Sequence, residues 1–255
     1  MDRNPRPVYK DGTPAYTKFI TLPSDFESNG ETPLVSVRKT AVFTGIKEML
    51  EFYLYQTNEL EHFRKSGIKY WDEWDIGDGT IGTRYGKTVA KYDLTNKLLK
   101  GLTDNPYGRR HIINLYQYAD FAETDGLYPC VYLNEWLYRE VDGVPYLDLY
   151  VHQRSSDTAV SWNINVIQYY AMQLMIACHC GYEVGKLRYS IGNAHTYDRH
   201  FEAVDELLER EPQEGTPELI LTCPKGTNFY DITIKDFKLV NYNPVMPQLD
   251  FELAI

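Results

Sequence analysis

The chain has 255 residues, 43% of them hydrophobic and 24% charged, with 17 Gly and 13 Pro, which excludes a disordered or fibrous protein. Its 26 Lys and Arg against 36 Asp and Glu leave a formal charge of −10. Such a surface repels polyanions and disfavours nucleic-acid binding, while a few clustered arginines would still hold a small phosphorylated ligand. The N-terminus (Met1-Asp2-Arg3-Asn4-Pro5-Arg6-Pro7) lacks an apolar h-region, no apolar run reaches membrane length, and four cysteines make no disulfide scaffold, so the expectation is a soluble, cytoplasmic protein.

No repeat or linker interrupts the chain, and residues 1–255 read as one domain. The first forty residues read as loop-rich, with turn signals at Asp11-Gly12-Thr13-Pro14 and Ser28-Asn29-Gly30. From Phe43 to Leu60, Ile46, Met49, Leu50, Tyr53 and Leu54 recur at helical spacing, and a second helix fits Leu94 to Leu102. Val131–Tyr138 and Tyr146–Val151 are rich in β-formers around Asp142-Gly143, the signal of a type I′ hairpin. If those two residues are the loop, Cys130 lies opposite Ser155 and Val131 opposite Arg154, within a residue or two. A helix from about Val166 to Cys180, apolar nearly all round, reads as central and buried, stopped by Gly181.

Folding the hairpin carries a cysteine to an arginine. A guanidinium near Cys130 favours the thiolate, the nucleophilic form of the group; the alternative is a small buried apolar side chain. Arg109-Arg110 precedes a strand-like run, His111–Tyr116, and would make a phosphate clamp if joined in space by Arg154, or else a solvated pair. Glu48 lies on the first helix among apolar neighbours, with a solvated face as its default. Trp71 and Trp74 either pack in the core or stack on a planar ring. His195 and Tyr197, two apart in an extended stretch, point the same way, either toward a sugar or into packing. Cys178-His179-Cys180 cannot close on one ion from a helix, so no metal is expected.

Taken together, Tyr70-Trp71-Asp72-Glu73-Trp74, Gly79-Thr80-Ile81-Gly82 with Tyr85-Gly86, Arg109-Arg110, Pro129-Cys130, Gln153-Arg154-Ser155-Ser156-Asp157, Asn165 and Gly192-Asn193-Ala194-His195-Thr196-Tyr197 resemble the signature series of the thymidylate synthase family, in order and at its spacing. The C-terminal Phe229-Tyr230-Asp231, Asp236-Phe237, Asn241-Tyr242 and Leu253-Ala254-Ile255 match as well. The resemblance implies an α/β (α+β) fold with a mixed sheet and a buried central helix, in a homodimer packed sheet to sheet. It also implies dUMP as substrate and 5,10-methylenetetrahydrofolate as co-substrate.

By position in the family's pattern, Cys130 is the nucleophile that adds to C6 of the base, and Glu48 organises proton transfer, with Tyr85 in the same catalytic set. Arg154, Ser155, Gln153 and Asp157 belong to the nucleotide site, joined by Arg109 and Arg110 from the partner subunit. Asn165 reads the base edge, its donor and acceptor matching N3–H and O4 of uracil. His195 and Tyr197 meet the sugar hydroxyl, Trp71, Trp74 and Asp157 flank the folate, and Ile255 closes the site.

The departures from that pattern set the expected reaction. Val160-Ser161-Trp162-Asn163-Ile164-Asn165 stands where synthases carry Leu-Gly-x-Pro-Phe-Asn, Tyr128 stands before Pro129-Cys130 in place of a small residue, Glu51 replaces a tryptophan, and Asn193 an aspartate. The early arginine loop has no clear counterpart beyond Arg3 or Arg6. Asn163 and Ser161 make the site wall more polar and better able to order water, as in the viral hydroxymethylases of the family. The expected activity is therefore that of a dUMP hydroxymethylase of viral origin. A thymidylate synthase is the second reading, favoured by the retained tryptophans and apolar C-terminus, and a nucleotide-binding protein without catalysis is the third.

Overall fold

The structure, a computed structural model, describes residues 2–20, 24–212 and 214–252. Strands β1 (Asp2–Val8), β2 (Pro14–Ile20) and β3 (Ser24–Ser28) open the chain, followed by helices α1 (Val42–Tyr53), α2 (Leu60–Lys65), α3 (Gly86–Tyr92) and α4 (Leu94–Asp104). Then come β4 (Ile112–Asn114), α5 (Tyr118–Glu123), β5 (Val131–Val141), β6 (Val144–Gln153), β7 (Ser156–Asp157) and α6 (Trp162–Cys180). Strands β8 (Glu183–Ile191) and β9 (Ala194–Tyr197), helix α7 (Phe201–Glu209), β10 (Glu218–Leu221) and β11 (Phe237–Val240) complete the fold. This is the mixed α/β architecture expected.

A five-stranded sheet in the order β3-β8-β6-β5-β4 is the frame. Its parallel pairing, β6 with β8, is bridged by α6 as the crossover. Leu147, Leu149, Val151, Leu187, Tyr189 and Ile191 alternate inward along β6 and β8 and are buried beneath α6, whose residues Met172, Met175 and Ile176 are fully buried. The opposite face carries Leu133, Leu137, Tyr150, His152 and Arg188, which stay half-exposed or exposed. A four-stranded sheet, β1-β2-β9-β7, lies beyond the C-terminal ends of β6 and β8.

The loop-rich reading of the first forty residues is corrected: three strands lie there. The turn signals hold, with Gly12 and Gly30 at positive φ. The strands were hidden because β2 and β3 are stabilised by pairing with β9 and β8, whose partner residues lie 159 to 180 positions away in sequence. The first helix ends at Tyr53 instead of reaching Leu60. Leu54 and Tyr55 both donate to the carbonyl of Leu50, and Gln56 turns left-handed at φ 55°. The central helix begins at Trp162, one turn earlier than its apolar pattern, and stops at Gly181, φ 75°. No described helix is long and apolar enough to cross a membrane.

Candidate active site

The Asp142-Gly143 turn forms as read, with both residues at positive φ (51° and 78°), and fixes the pairing from Val141–Val144 down to Leu133–His152. Past Leu133 the register slips by one residue at Tyr132, so that Val131 pairs with Gln153 rather than Arg154. Cys130 thereby faces Arg154: the Arg154 backbone N–H donates to the Cys130 carbonyl at 2.8 Å, and its Nη2 lies 3.8 Å from Cys130 Sγ. The same guanidinium donates to the carbonyls of Pro129 (2.9 Å) and Tyr128 (2.7 Å), tying the loop before Cys130 to β6.

Burial pushes the Cys130 thiol up, and Arg154 pulls it back only in part. The sulfur therefore rests as a protonated thiol at neutral pH, not as the thiolate expected from the arginine alone. Cys130 opens on a cavity of about 840 Å³ lined also by Glu48, Trp71, Trp74, Tyr85, Arg154, Ser155, Asp157, Asn165, His195 and Tyr197. Eleven of the residues singled out from sequence thus meet in one place, Cys130 included.

Glu48 is buried, which its helical context left open. Tyr70 Oη donates to its Oε2 at 2.7 Å, Trp71 Nε1 to its Oε1 at 2.5 Å, and Gln168 Nε2 to Oε2. Burial raises its pKa despite these three donors. Trp71 is accordingly a core residue that anchors Glu48, packed against Phe52, Phe63 and Tyr85, while Trp74 presents the half-buried surface.

Tyr85 accepts the Cys130 backbone N–H on its hydroxyl at 3.2 Å. Its backbone sits at φ 44°, ψ −108°, a strained setting for a residue with a side chain. The neighbouring Gly86 shows why the turn is so tight: a Cβ there would lie 2.2 Å from the Thr57 carbonyl oxygen.

Asn165 and Gln153 are joined, Gln153 Nε2 donating to Asn165 Oδ1 at 3.2 Å; Gln153 itself is buried behind the cavity rather than lining it. His195 and Tyr197 project together from β9 with ring centroids 5.2 Å apart. His195 Nδ1 lies 2.9 Å from Asn193 Oδ1, so the hydrogen sits on Nδ1 and Nε2 keeps its lone pair. Burial lowers the His195 pKa, opposed by Asp157, and raises Tyr197 to about 12. Asp157 Oδ1 accepts the N–H of Ala159 (3.0 Å), and its pKa is raised by burial, opposed by His200 and His195.

Arg109 and Arg110 do not reach this cavity. Both are exposed and precede β4, where Ile112 pairs with Glu135, five residues or about 16 Å along the strand from Cys130. Ile255 and the side chains of Arg3 and Arg6 lie outside what the structure describes. Sequence reading missed Gln168, although it follows Asn165 by three positions on a helix and so shares its side. It also missed the aromatic support of the cysteine loop: Tyr128 stacks on Phe121 at 4.2 Å, with Arg84 beside both rings.

The wall is less polar than expected. Val160 and Ile164 face the cavity beside Ser161, whose hydroxyl donates to the Asp157 carbonyl at 3.1 Å, and Asn163 is not among the lining residues.

Fold and cavity define a mixed α/β protein with a cysteine, Cys130, set beside Arg154 on the wall of a ligand-sized cavity. The family model described as thymidylate synthase matches residues 2–255, and the chain belongs to the thymidylate synthase family, a family of one-carbon transferases. It is 50% identical over 254 residues to a thymidylate synthase of Streptococcus pneumoniae, covering 98% of this chain and 91% of that one. A thymidylate synthase of Lactococcus lactis subsp. cremoris is 49% identical over 260 residues, covering 100% and 93%. Among solved structures, thermostable thymidylate synthase A from Bacillus subtilis superposes with a TM-score of 0.88 at 36% identity, covering 98% of this chain and 91% of that one. These full-length relatives overturn the hydroxymethylase expectation, and their bacterial sources give no support to a viral origin.

Proposed function

We propose that the chain is a thymidylate synthase, converting dUMP to dTMP with methylenetetrahydrofolate as co-substrate. The observation that carries this reading is the convergence of Cys130, Glu48 and Asn165 on one cavity, in a chain half identical to curated thymidylate synthases.

The cavity is within the range of small-ligand sites, and Trp74, Leu127, Val160 and Ile164 give it an apolar wall suited to a flat pterin. When bound, the folate supplies the one-carbon unit and the hydride that reduces it. The protein's part begins at Cys130. Its thiol first gives up its proton to water in the cavity; the thiolate then bonds to C6 of uracil, the C5–C6 electron pair moves toward O4, and C5 becomes nucleophilic. Once the carbon is attached, the C5 proton must leave and the sulfur must be eliminated.

Glu48, Tyr85, Asn165 and Cys130 share a second, smaller cavity of about 50 Å³. That space has room for water to carry protons between Glu48 and the base. His195 Nε2 accepts the sugar hydroxyl, Tyr197 donates to it, and Arg154 with Ser155 takes the phosphate.

The clamp is completed by Arg109 and Arg110 of a second copy. The uncovered face of the five-stranded sheet, with Ile112 and Leu137 each 44% exposed, is where that copy packs.

The test is incubation with dUMP and methylenetetrahydrofolate, following dihydrofolate absorbance and the mass of the product nucleotide. Equimolar dTMP and dihydrofolate are expected; a modified nucleotide formed without dihydrofolate overturns the reading.

A further inference from the structure

A directional chain of hydrogen bonds runs behind the cavity wall. Tyr189 Oη donates to Gln153 Oε1, Gln153 Nε2 to Asn165 Oδ1 (3.2 Å), Asn165 Nδ2 to Gln168 Oε1 (3.2 Å), and Gln168 Nε2 to Glu48. A carboxamide has two faces that differ only by exchange of O and NH₂, so its orientation depends on its neighbours. Here both ends of the chain are pinned. Gln153 Nε2 also donates to the Ser155 carbonyl at 2.8 Å, an acceptor only, which forces its nitrogen to that side. At the other end Glu48, when ionised, accepts only, so Gln168 must turn its nitrogen to it and its oxygen to Asn165.

Turning Asn165 over would set NH₂ against the Gln153 nitrogen and oxygen against Gln168 Oε1. Both contacts would be repulsive in a buried setting, since Gln153 and Gln168 are 2% and 5% exposed. What Asn165 still offers the cavity is therefore fixed: a spare lone pair on Oδ1 and a spare N–H on Nδ2. That pattern complements the N3–H and O4 of uracil. Against cytosine, whose N3 accepts and whose exocyclic N4 donates, it sets acceptor on acceptor and donor on donor.

We infer that Gln168 is a positioning residue that sets base specificity: by linking Asn165 to Glu48 it locks the Asn165 carboxamide in the sense that accepts uracil and rejects cytosine. The inference rests on Asn165 as the base-reading residue of the proposed reaction. Gln153 holds the same carboxamide from the opposite side, so loss of either pin makes the inverted orientation less costly.

The experiment measures binding of dUMP and of dCMP to wild type, Gln168→Met and Gln153→Met, with folding checked by circular dichroism. Methionine keeps the volume of glutamine and removes its amide. Wild type binding neither nucleotide would overturn the underlying reading of the site, and the inference with it. Wild type binding dUMP more tightly is expected, and Gln168→Met is expected to lower the dUMP-to-dCMP affinity ratio by about tenfold, the loss of one buried hydrogen-bond constraint. A role in packing alone would weaken both nucleotides alike. Equal binding of the two nucleotides by wild type, or an unchanged ratio in folded Gln168→Met, overturns the inference alone. Should that variant not fold, Gln153→Met decides by the same ratio.

Discussion

Cys130 and Arg154 meet because the hairpin that carries them is not regular. An unbroken ladder from the Asp142-Gly143 turn would set Cys130 against Ser155; the extra residue at Tyr132 sets it against Arg154, with Nη2 3.8 Å from Sγ. A β-bulge re-aims a strand end at the cost of one unpaired residue, and here it puts the guanidinium on the sulfur.

Cys130→Ser is expected to abolish turnover while leaving dUMP affinity within a few-fold of wild type. The hydroxyl is isosteric enough to keep the site but is far less acidic than a thiol and a much weaker nucleophile, so the C6 bond is not made. Steady-state rates and nucleotide binding, measured side by side, check this; a serine variant that turns over at a comparable rate contradicts it.

Arg154→Gln is expected to move the reactivity of Cys130 to higher pH. Burial already raises the thiol, and Arg154 is the cation that opposes the rise. Without it the pKa climbs further and less thiolate exists at pH 7, the fraction falling about tenfold for every full pH step by which the pKa climbs. The rate of alkylation by iodoacetamide as a function of pH reports the change directly. A profile unmoved, or moved to lower pH, counts against the electrostatic role.

What could be read from the amino-acid sequence depended on the range of the interactions involved. The hairpin was legible because Asp142-Gly143 decides it locally, and the central helix because Val166–Cys180 is apolar nearly all round. The bulge at Tyr132 was not, since no residue there demands it. Glu48 was undecidable for a different reason: its burial is made by Tyr70, Trp71 and Gln168, up to 120 positions away. The polarity of Ser161 and Asn163 misled because composition counts a side chain wherever it points. Asn163 does not line the cavity, and Ser161, which does, spends its hydroxyl on its own turn.

Asn193→Asp is expected to raise the pH below which dUMP binding weakens. Burial lowers the His195 pKa, so the imidazole is neutral at pH 7 and its Nε2 keeps the lone pair that would accept the sugar hydroxyl in the proposed complex. Protonation on acidification removes that acceptor. A carboxylate at position 193, in place of the amide oxygen 2.9 Å from Nδ1, favours the imidazolium and raises the pKa. The acid limb of a KM profile for dUMP should move up, and an NMR titration of His195 should move with it. A fixed acid limb in a variant whose His195 titration has moved would detach this histidine from the sugar.

Gln173→Leu tests the frame rather than the site. Between Leu147 and Leu149 the parallel pairing of β6 with β8 is interrupted, which frees backbone carbonyls in a region with no access to water. Gln173, fully buried on α6, fills the gap: its Nε2 donates to the carbonyls of Leu147 (2.8 Å) and Lys186 (3.1 Å). Leucine keeps the bulk but leaves those acceptors without a donor, at a cost of about 1–3 kcal/mol in unfolding free energy. Denaturant unfolding should show the loss with an unchanged slope, and KM for dUMP should stay at the wild-type value because Gln173 touches no cavity residue's polar atoms. Stability equal to wild type would mean that the carbonyls of Leu147 and Lys186 find other donors, and that the helix is held to the sheet by its apolar contacts alone.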